Sequence, residues 1–255
     1  MASNLSEQPV ALITGAGAGL GEALASSFVG DGVRVVVTDI DERAAVRVAA
    51  ALNEHAPGSA MSVGLDVADP DAFEAAITLV ERTFGRLDHL INNAGLHLST
   101  YSQPIAALTT EQLRAAVDVN VLGVVHGTLA SRRLLAAAGG TVVNLSSIAS
   151  YGVASYGIYG VTKLAVRGLT VAFAQELAAD GIRVNAVAPG LIATDNAVHA
   201  LDRSTFDDFV DTRQVLQRRG LPADVVEAIR FLCSDRASFV TGETLKVSGG
   251  YPLLP

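Results

Sequence analysis

The chain has 255 residues, half of them hydrophobic, a formal net charge of −8 and a sequence pI near 5.0. That length supports one sizeable core, and the acidic balance speaks against nucleic acid or an anionic membrane as partner. A single cysteine, Cys233, excludes an internal disulfide, and no Cys/His cluster has metal-site spacing, so no metal is expected and Cys233 reads as a buried core thiol.

Residues 1–8 are polar, without the basic-then-apolar pattern of a signal peptide, and no apolar stretch reaches membrane-spanning length without polar interruption. A soluble, cytoplasmic protein is the expectation. No linker, repeat or low-complexity tract divides the chain, so residues 1–255 read as a single domain.

Segments that favour strand and helix alternate along the chain. Residues 10–14 form a short apolar strand, followed by a glycine-rich turn and a helix over 22–29. Residues 33–38 are a β-branched run suited to a buried parallel strand. A helix over 41–53, a strand over 60–67 and a helix from Asp69-Pro70 to about Phe84 come next. Residues 87–91 are a strand that ends in Asn92-Asn93-Ala94-Gly95. Thr109 and Gln112 have capping-box spacing, which predicts one long helix to about Ala138, stopped by Gly139-Gly140. Residues 141–145 are a strand, 156–179 a helix, 182–187 a strand closed by Pro189-Gly190, 222–234 a helix and 244–247 a last strand. Residues 195–219 are polar and mixed and read as a flexible lid. The alternation predicts a doubly wound, Rossmann-like parallel sheet, whose ligand sites lie beyond the carboxyl ends of the strands.

The first turn reads Thr14-Gly15-Ala16-Gly17-Ala18-Gly19-Leu20-Gly21. Glycines there let the backbone approach a pyrophosphate, and the following helix offers free N–H groups. Asp39 ends the second strand, and an acid at that point can hold ribose hydroxyls and repel a 2′-phosphate. No Lys or Arg replaces Ala18, and Ile40 follows Asp39, so NAD is favoured over NADP. Asp39 also has a plain reading as a helix cap.

Tyr159 and Lys163 lie four apart on a predicted helix and so share a face. An ammonium beside a phenol favours tyrosinate, which could take a hydroxyl proton as hydride leaves the same carbon; in reverse the phenol protonates a carbonyl oxygen.

With the glycine turn, Asp66-Val67, Asn92-Asn93-Ala94-Gly95, Asn120, Asn144-Leu145-Ser146-Ser147, Tyr159 with Lys163, Pro189-Gly190 with Thr194, and Val247-Ser248-Gly249-Gly250, the chain resembles the short-chain dehydrogenase/reductase family along nearly its whole length. The resemblance implies a seven-stranded sheet, commonly in a homotetramer. It also implies roles. Thr14, Gly15, Gly19, Leu20 and Gly21 form the cofactor turn, Asp39 and Ile40 meet the adenosine ribose, and Asp66 and Val67 border the adenine. Asn93, Ala94 and Gly95 line the strand end near the cofactor, and Pro189, Gly190, Ile192 and Thr194 contact the nicotinamide end. Tyr159 is the acid/base, Lys163 binds the nicotinamide ribose and lowers the Tyr159 pKa, and Asn120 supports a water in a proton relay. In many relatives the catalytic serine is the second of its pair and stands thirteen positions before the tyrosine. Here Ser147 meets the first criterion and Ser146 the second, and strand register favours Ser147.

The substrate pocket is expected from Leu96, His97, Leu98 and Tyr101, from Tyr151, Val153 and Tyr156, and from residues 195–219. This mainly apolar and aromatic set fits a small apolar secondary alcohol or ketone. Asp207, Asp208, Asp211 and the pair Arg218-Arg219 read as solvated surface, and the near-apolar end from Tyr251 onward as a subunit contact. Two alternatives remain at this point: an NADPH-linked biosynthetic carbonyl reductase, and a non-catalytic NAD-binding regulatory protein.

Overall fold

Hydrophobic residues on both faces of each strand bury the sheet between two layers of helices, as a parallel sheet requires. The structure, a computed structural model, describes residues 8–96, 98–152, 156–194 and 203–253. Seven parallel strands lie in the order β3-β2-β1-β4-β5-β6-β7: β1 Val10–Ile13, β2 Arg34–Asp39, β3 Ala60–Gly64, β4 His89–Asn92, β5 Thr141–Leu145, β6 Arg183–Pro189 and β7 Thr244–Val247. The helices are α1 Gly19–Gly30, α2 Glu42–His55, α3 Pro70–Phe84, the single turn α4 Leu98–Tyr101, α5 Thr110–Val117, α6 Gly123–Ala138, α7 Gly157–Glu176, α8 Arg203–Arg213 and α9 Pro222–Cys233. This is the doubly wound architecture expected from the sequence.

Alternation along β1 shows how the two cores arise. Ala11 and Ile13 join Leu24, Phe28, Val48, Val225 and Ile229 on one face. Val10 and Leu12 join Phe73, Val80, Leu135 and Phe173 on the other. All four β1 residues are fully buried. Strand order reverses between β1 and β4, so the loops after these two strands diverge and open a crevice at the carboxyl edge.

Local signals set the element ends. Asp41 caps α2 by accepting from the Arg43 and Ala44 amides, and Asp69 caps α3 in the same way with Pro70 at its first position. Thr109 and Gln112 form the capping box of α5. Gly139, at φ 62°, ends α6 in the left-handed region.

The long helix expected up to Ala138 is broken. Asp118–Leu122 forms a π turn between α5 and α6. No residue type is specific to such a turn, so the sequence does not mark it. The run Thr110–Ala138 is long and apolar enough by length and composition to cross a membrane, with Glu111, Arg114, Asp118, Arg132 and Arg133 interrupting it. Here it is split by the π turn, and α6 packs on α3 and β4. Part of the presumed lid is regular structure as well: α8 is helical, and the following loop is held where the Val215 and Leu216 amides donate to the Gly249 carbonyl. Residues 195–202 lie outside the described residues.

Candidate active site

A cleft of about 480 Å³ opens above the switch point. Its walls include Gly15, Gly19, Leu20, Gly21, Asp39, Ile40, Asp66, Val67, Asn93, Ala94 and Gly95 at one end. Ser147, Tyr159, Lys163, Pro189, Gly190, Ile192 and Thr194 line the other. Thr14 and Asn120 are buried and tie wall segments together.

The glycine turn is fixed from three sides. Thr14 Oγ1 accepts from the Asn93 and Ala94 amides at 3.0 and 2.9 Å. Asn93 Nδ2 donates to the Thr14 and Gly15 carbonyls at 2.8 and 3.0 Å. Arg47 Nη2 donates to the Gly17 carbonyl at 2.6 Å while pairing with Glu22. Backbone contact is so close that a Cβ on Gly21 would lie 2.2 Å from the Gly15 carbonyl oxygen, and Gly15 has φ 63°.

The cap of α1 is the physical test of a phosphate site. Ala18 stands at its N-cap and makes no side-chain cap hydrogen bond, whereas α2 and α3 are capped by aspartates. The first-turn amides of α1 thus face the cleft with no side chain over them, which suits a dinucleotide pyrophosphate.

Asp39 does not cap α2; Asp41 does. Asp39 Oδ2 instead accepts from the Gly17 amide at 2.9 Å, and Oδ1 from the Asp41 amide at 3.0 Å. Two backbone donors therefore hold this carboxylate on the cleft wall, beside the exposed Ile40.

At the other end the two serines part. Ser146 Oγ donates to the Lys163 carbonyl at 2.9 Å, buried behind the wall. Ser147 Oγ accepts from the Ala149 amide at 3.1 Å and lies on the cleft wall with Tyr159. Lys163 is 5% exposed, and its Nζ donates to the Leu145 carbonyl at 2.7 Å. Asn120 sits in the π turn, where Oδ1 accepts from the Leu96 amide at 2.7 Å and Nδ2 donates to Thr162 Oγ1 at 3.1 Å. A Cβ on Gly95 would meet Asn120 Oδ1 at 3.2 Å and Lys163 Nζ at 3.3 Å, so an acceptor and a donor converge on the side-chain-free space of Gly95.

Electrostatics differ from the sequence expectation at one point. Burial pushes the Tyr159 phenol up to about 12; the Ser147 hydrogen bond opposes this and the Tyr156 phenol adds to it. Burial brings the Lys163 ammonium down to about 8. Lys163 Nζ lies 5.8 Å from the Tyr159 ring centre, and loss of solvent is the largest influence on each group.

Four contributors were missed by the sequence reading: Thr162, the Leu145 carbonyl, the Leu96 amide and the Gly17 amide. Three are backbone groups, which carry no residue signature. His97 and Val153 lie outside the described residues, and the side chain of Leu98 is likewise not described. The arginine pair is more than solvated surface: Arg218 pairs with Asp224 at 2.7 Å and Arg219 with Asp207. Cys233 is a buried thiol, as expected.

Residues 15–252 match the family model described as enoyl-(acyl carrier protein) reductase. Cis-4-hydroxycyclohexanecarboxylate dehydrogenase of Sinomonas cyclohexanicum is 39% identical over 246 residues, covering 95% of this chain and 96% of that protein. The 3alpha-hydroxysteroid dehydrogenase of Mediterraneibacter gnavus is 38% identical over 246 residues, covering 94% and 95%. Among solved structures, a 7 alpha-hydroxysteroid dehydrogenase complexed with NADH and 7-oxo glycochenodeoxycholic acid superposes with a TM-score of 0.87 at 31% identity, covering 97% of this chain and 96% of that one. A dinucleotide-sized cleft with an open helix terminus, together with these matches along the chain, makes this protein an oxidoreductase of the short-chain dehydrogenase/reductase family.

Proposed function

We propose that the protein is an NAD-dependent dehydrogenase acting reversibly on a small apolar secondary alcohol or ketone. The observation that carries this reading is the Tyr159 phenol, sharing one cleft with Ser147, Lys163 and the glycine turn. When bound, the nicotinamide accepts or supplies the hydride.

Around that chemistry each residue has a task. The Ser147 hydroxyl and the Tyr159 phenol hold the substrate oxygen. Tyr159 gives its proton to that oxygen in the reducing direction and takes one from it in the oxidising direction. Lys163 holds the nicotinamide ribose. Asn120 Oδ1 and Lys163 Nζ, converging on Gly95, seat a water that carries the proton onward. The α1 amides hold the pyrophosphate, Ile40 and Val67 offer apolar surface to the adenosine, Asp66 borders the adenine, and Thr194 with Ile192, Pro189 and Gly190 meets the nicotinamide amide. Relatives named for hydroxysteroid and hydroxycyclohexane substrates support an apolar, cyclic alcohol class.

Asp39 decides the cofactor in this reading. Its charge would repel a 2′-phosphate held at this end of the cleft, and its two backbone hydrogen bonds keep it from turning away. Asp39→Asn retains an acceptor for one of them and removes the charge. Equilibrium binding should show the NAD-over-NADP preference of the native chain falling by about 10–100-fold, the worth of one close charge pair near a surface. Equal preference in native and variant chains would contradict the assignment.

We also infer a homotetramer. Leu122, Leu129, Val161, Leu164 and Val171 are 40–54% exposed on the π turn, α6 and α7, which leaves apolar helix surface in need of cover. Light scattering should give a mass four times that of the chain; a monomer mass would contradict it.

A further inference from the structure

The loop that carries Ser147 away from β5 is fastened to α7, the helix of Tyr159 and Lys163. After Ser147 the chain makes the 3₁₀ turn Ile148–Tyr151, which packs along α7. The Ser147 carbonyl accepts twice from Ser150, from its amide at 3.0 Å and from its hydroxyl at 2.6 Å. Ser150 is 3% exposed, so the two residues form one buried unit. Two points on α7 hold this turn. Beside Tyr159, the Ala149 carbonyl comes so close that a Cβ on Gly160 would lie 3.1 Å from it. Two helical turns further on, Arg167 Nη1 donates to the Ser150 carbonyl at 3.2 Å, and its guanidinium lies over the Tyr151 ring at 4.0 Å.

Tyr151, expected to wall the substrate pocket, does not line the cleft. Its ring instead meets a second cation. Lys246 Nζ of β7 lies 5.1 Å from the ring centre and donates to the Pro252 carbonyl at 3.0 Å. Neither cation makes an ion pair with a described residue. The ring quadrupole is the attraction that keeps two like charges beside one side chain. Arg167 Nε is buried with no hydrogen-bond partner among the described residues, a cost to stability that an apolar side chain of similar length would avoid.

We propose that Arg167 is a positioning residue: by tying the Ser150 carbonyl and the Tyr151 ring to α7, it sets the place of the Ser147 hydroxyl relative to the Tyr159 phenol. This rests on the proposed dehydrogenase, in which those two hydroxyls hold one substrate oxygen. Both must reach the same atom, and a misplacement of about 1 Å can cost about a hundredfold in rate. Arg167 does not line the cleft, so it acts through the loop.

Arg167→Met keeps a side chain of similar length and removes the guanidinium. Oxidation of cyclohexanol with saturating NAD should lose about 10–100-fold in kcat, with NAD binding within about twofold of the native chain. In a Ser147→Ala background the same substitution should cost less than about twofold, since the hydroxyl that it positions is gone. Hydrogen exchange gives a readout that needs no turnover. The Ser150 amide should exchange at least about tenfold faster in Arg167→Met, while the β5 amides keep their native rates. Arg167→Lys keeps a cation over the ring without the planar fork and should show a smaller loss in both measurements. Thermal unfolding close to that of the native chain shows that the variants are folded. Equal kcat losses with and without the Ser147 hydroxyl, or an unchanged Ser150 exchange rate, overturn the proposal. Failure of the native chain to oxidise any alcohol would count against the dehydrogenase reading, and the exchange rates would still decide whether Arg167 holds the loop.

Discussion

Replacing Tyr159 by phenylalanine should lower turnover by at least about a thousandfold while NAD binding stays within about twofold of the native chain. The substitution removes one oxygen from a group whose position is otherwise kept by α7. The hydroxyl is the only polar atom of the Tyr159 side chain, and Tyr159 lines one cleft with Ser147 and Lys163. Burial keeps the phenol protonated up to about 12, so the folded site stands ready to protonate a carbonyl. Alcohol oxidation instead needs the phenolate and should quicken as pH rises between about 7 and 9, because the phenolate fraction grows tenfold per unit below the pKa. Steady-state rates in both directions, with cofactor binding measured separately, check this. Undiminished turnover in Tyr159→Phe would remove the proposed acid/base.

The second large effect separates the adjacent serines. Ser147→Ala should cost about 100–1,000-fold in kcat, as loss of a preorganised donor to a developing oxyanion does, and about 1–3 kcal/mol in stability because the buried Ala149 amide loses its acceptor. Ser146→Ala should keep kcat within about tenfold. Its hydroxyl donates to the Lys163 carbonyl inside the wall, and its loss removes one buried hydrogen bond, worth about 0.5–1.5 kcal/mol. Parallel measurement of kcat and unfolding in the two variants decides the matter. A large kcat loss in Ser146→Ala with an active Ser147→Ala would exchange the two roles.

The pair also shows where sequence reasoning stops. Counting back from Tyr159 selects Ser146, and position within the pair selects Ser147. Only the path of the chain after β5 shows that Ser146 Oγ turns to the Lys163 carbonyl while Ser147 stands on the cleft wall with Tyr159. The strand positions and the glycine turn were legible because β-branched runs, helix caps and glycines act locally. The π turn was not, since Asn120 carries no signature of a widened helix. The lowered Tyr159 pKa expected from its spacing to Lys163 failed for a related reason: spacing places two groups on one face but says nothing of how much water both lose.

The most direct test of the central claim follows reduced nicotinamide by its near-ultraviolet absorbance. Purified protein is supplied with NAD or NADP and a panel of apolar secondary alcohols, open-chain and cyclic. The account predicts turnover with NAD and a cyclic or apolar alcohol class, at a kcat/KM well above that with NADP. Turnover confined to NADP would contradict the Asp39 assignment, and the absence of turnover with every alcohol and ketone, despite NAD binding, would contradict the proposed dehydrogenase.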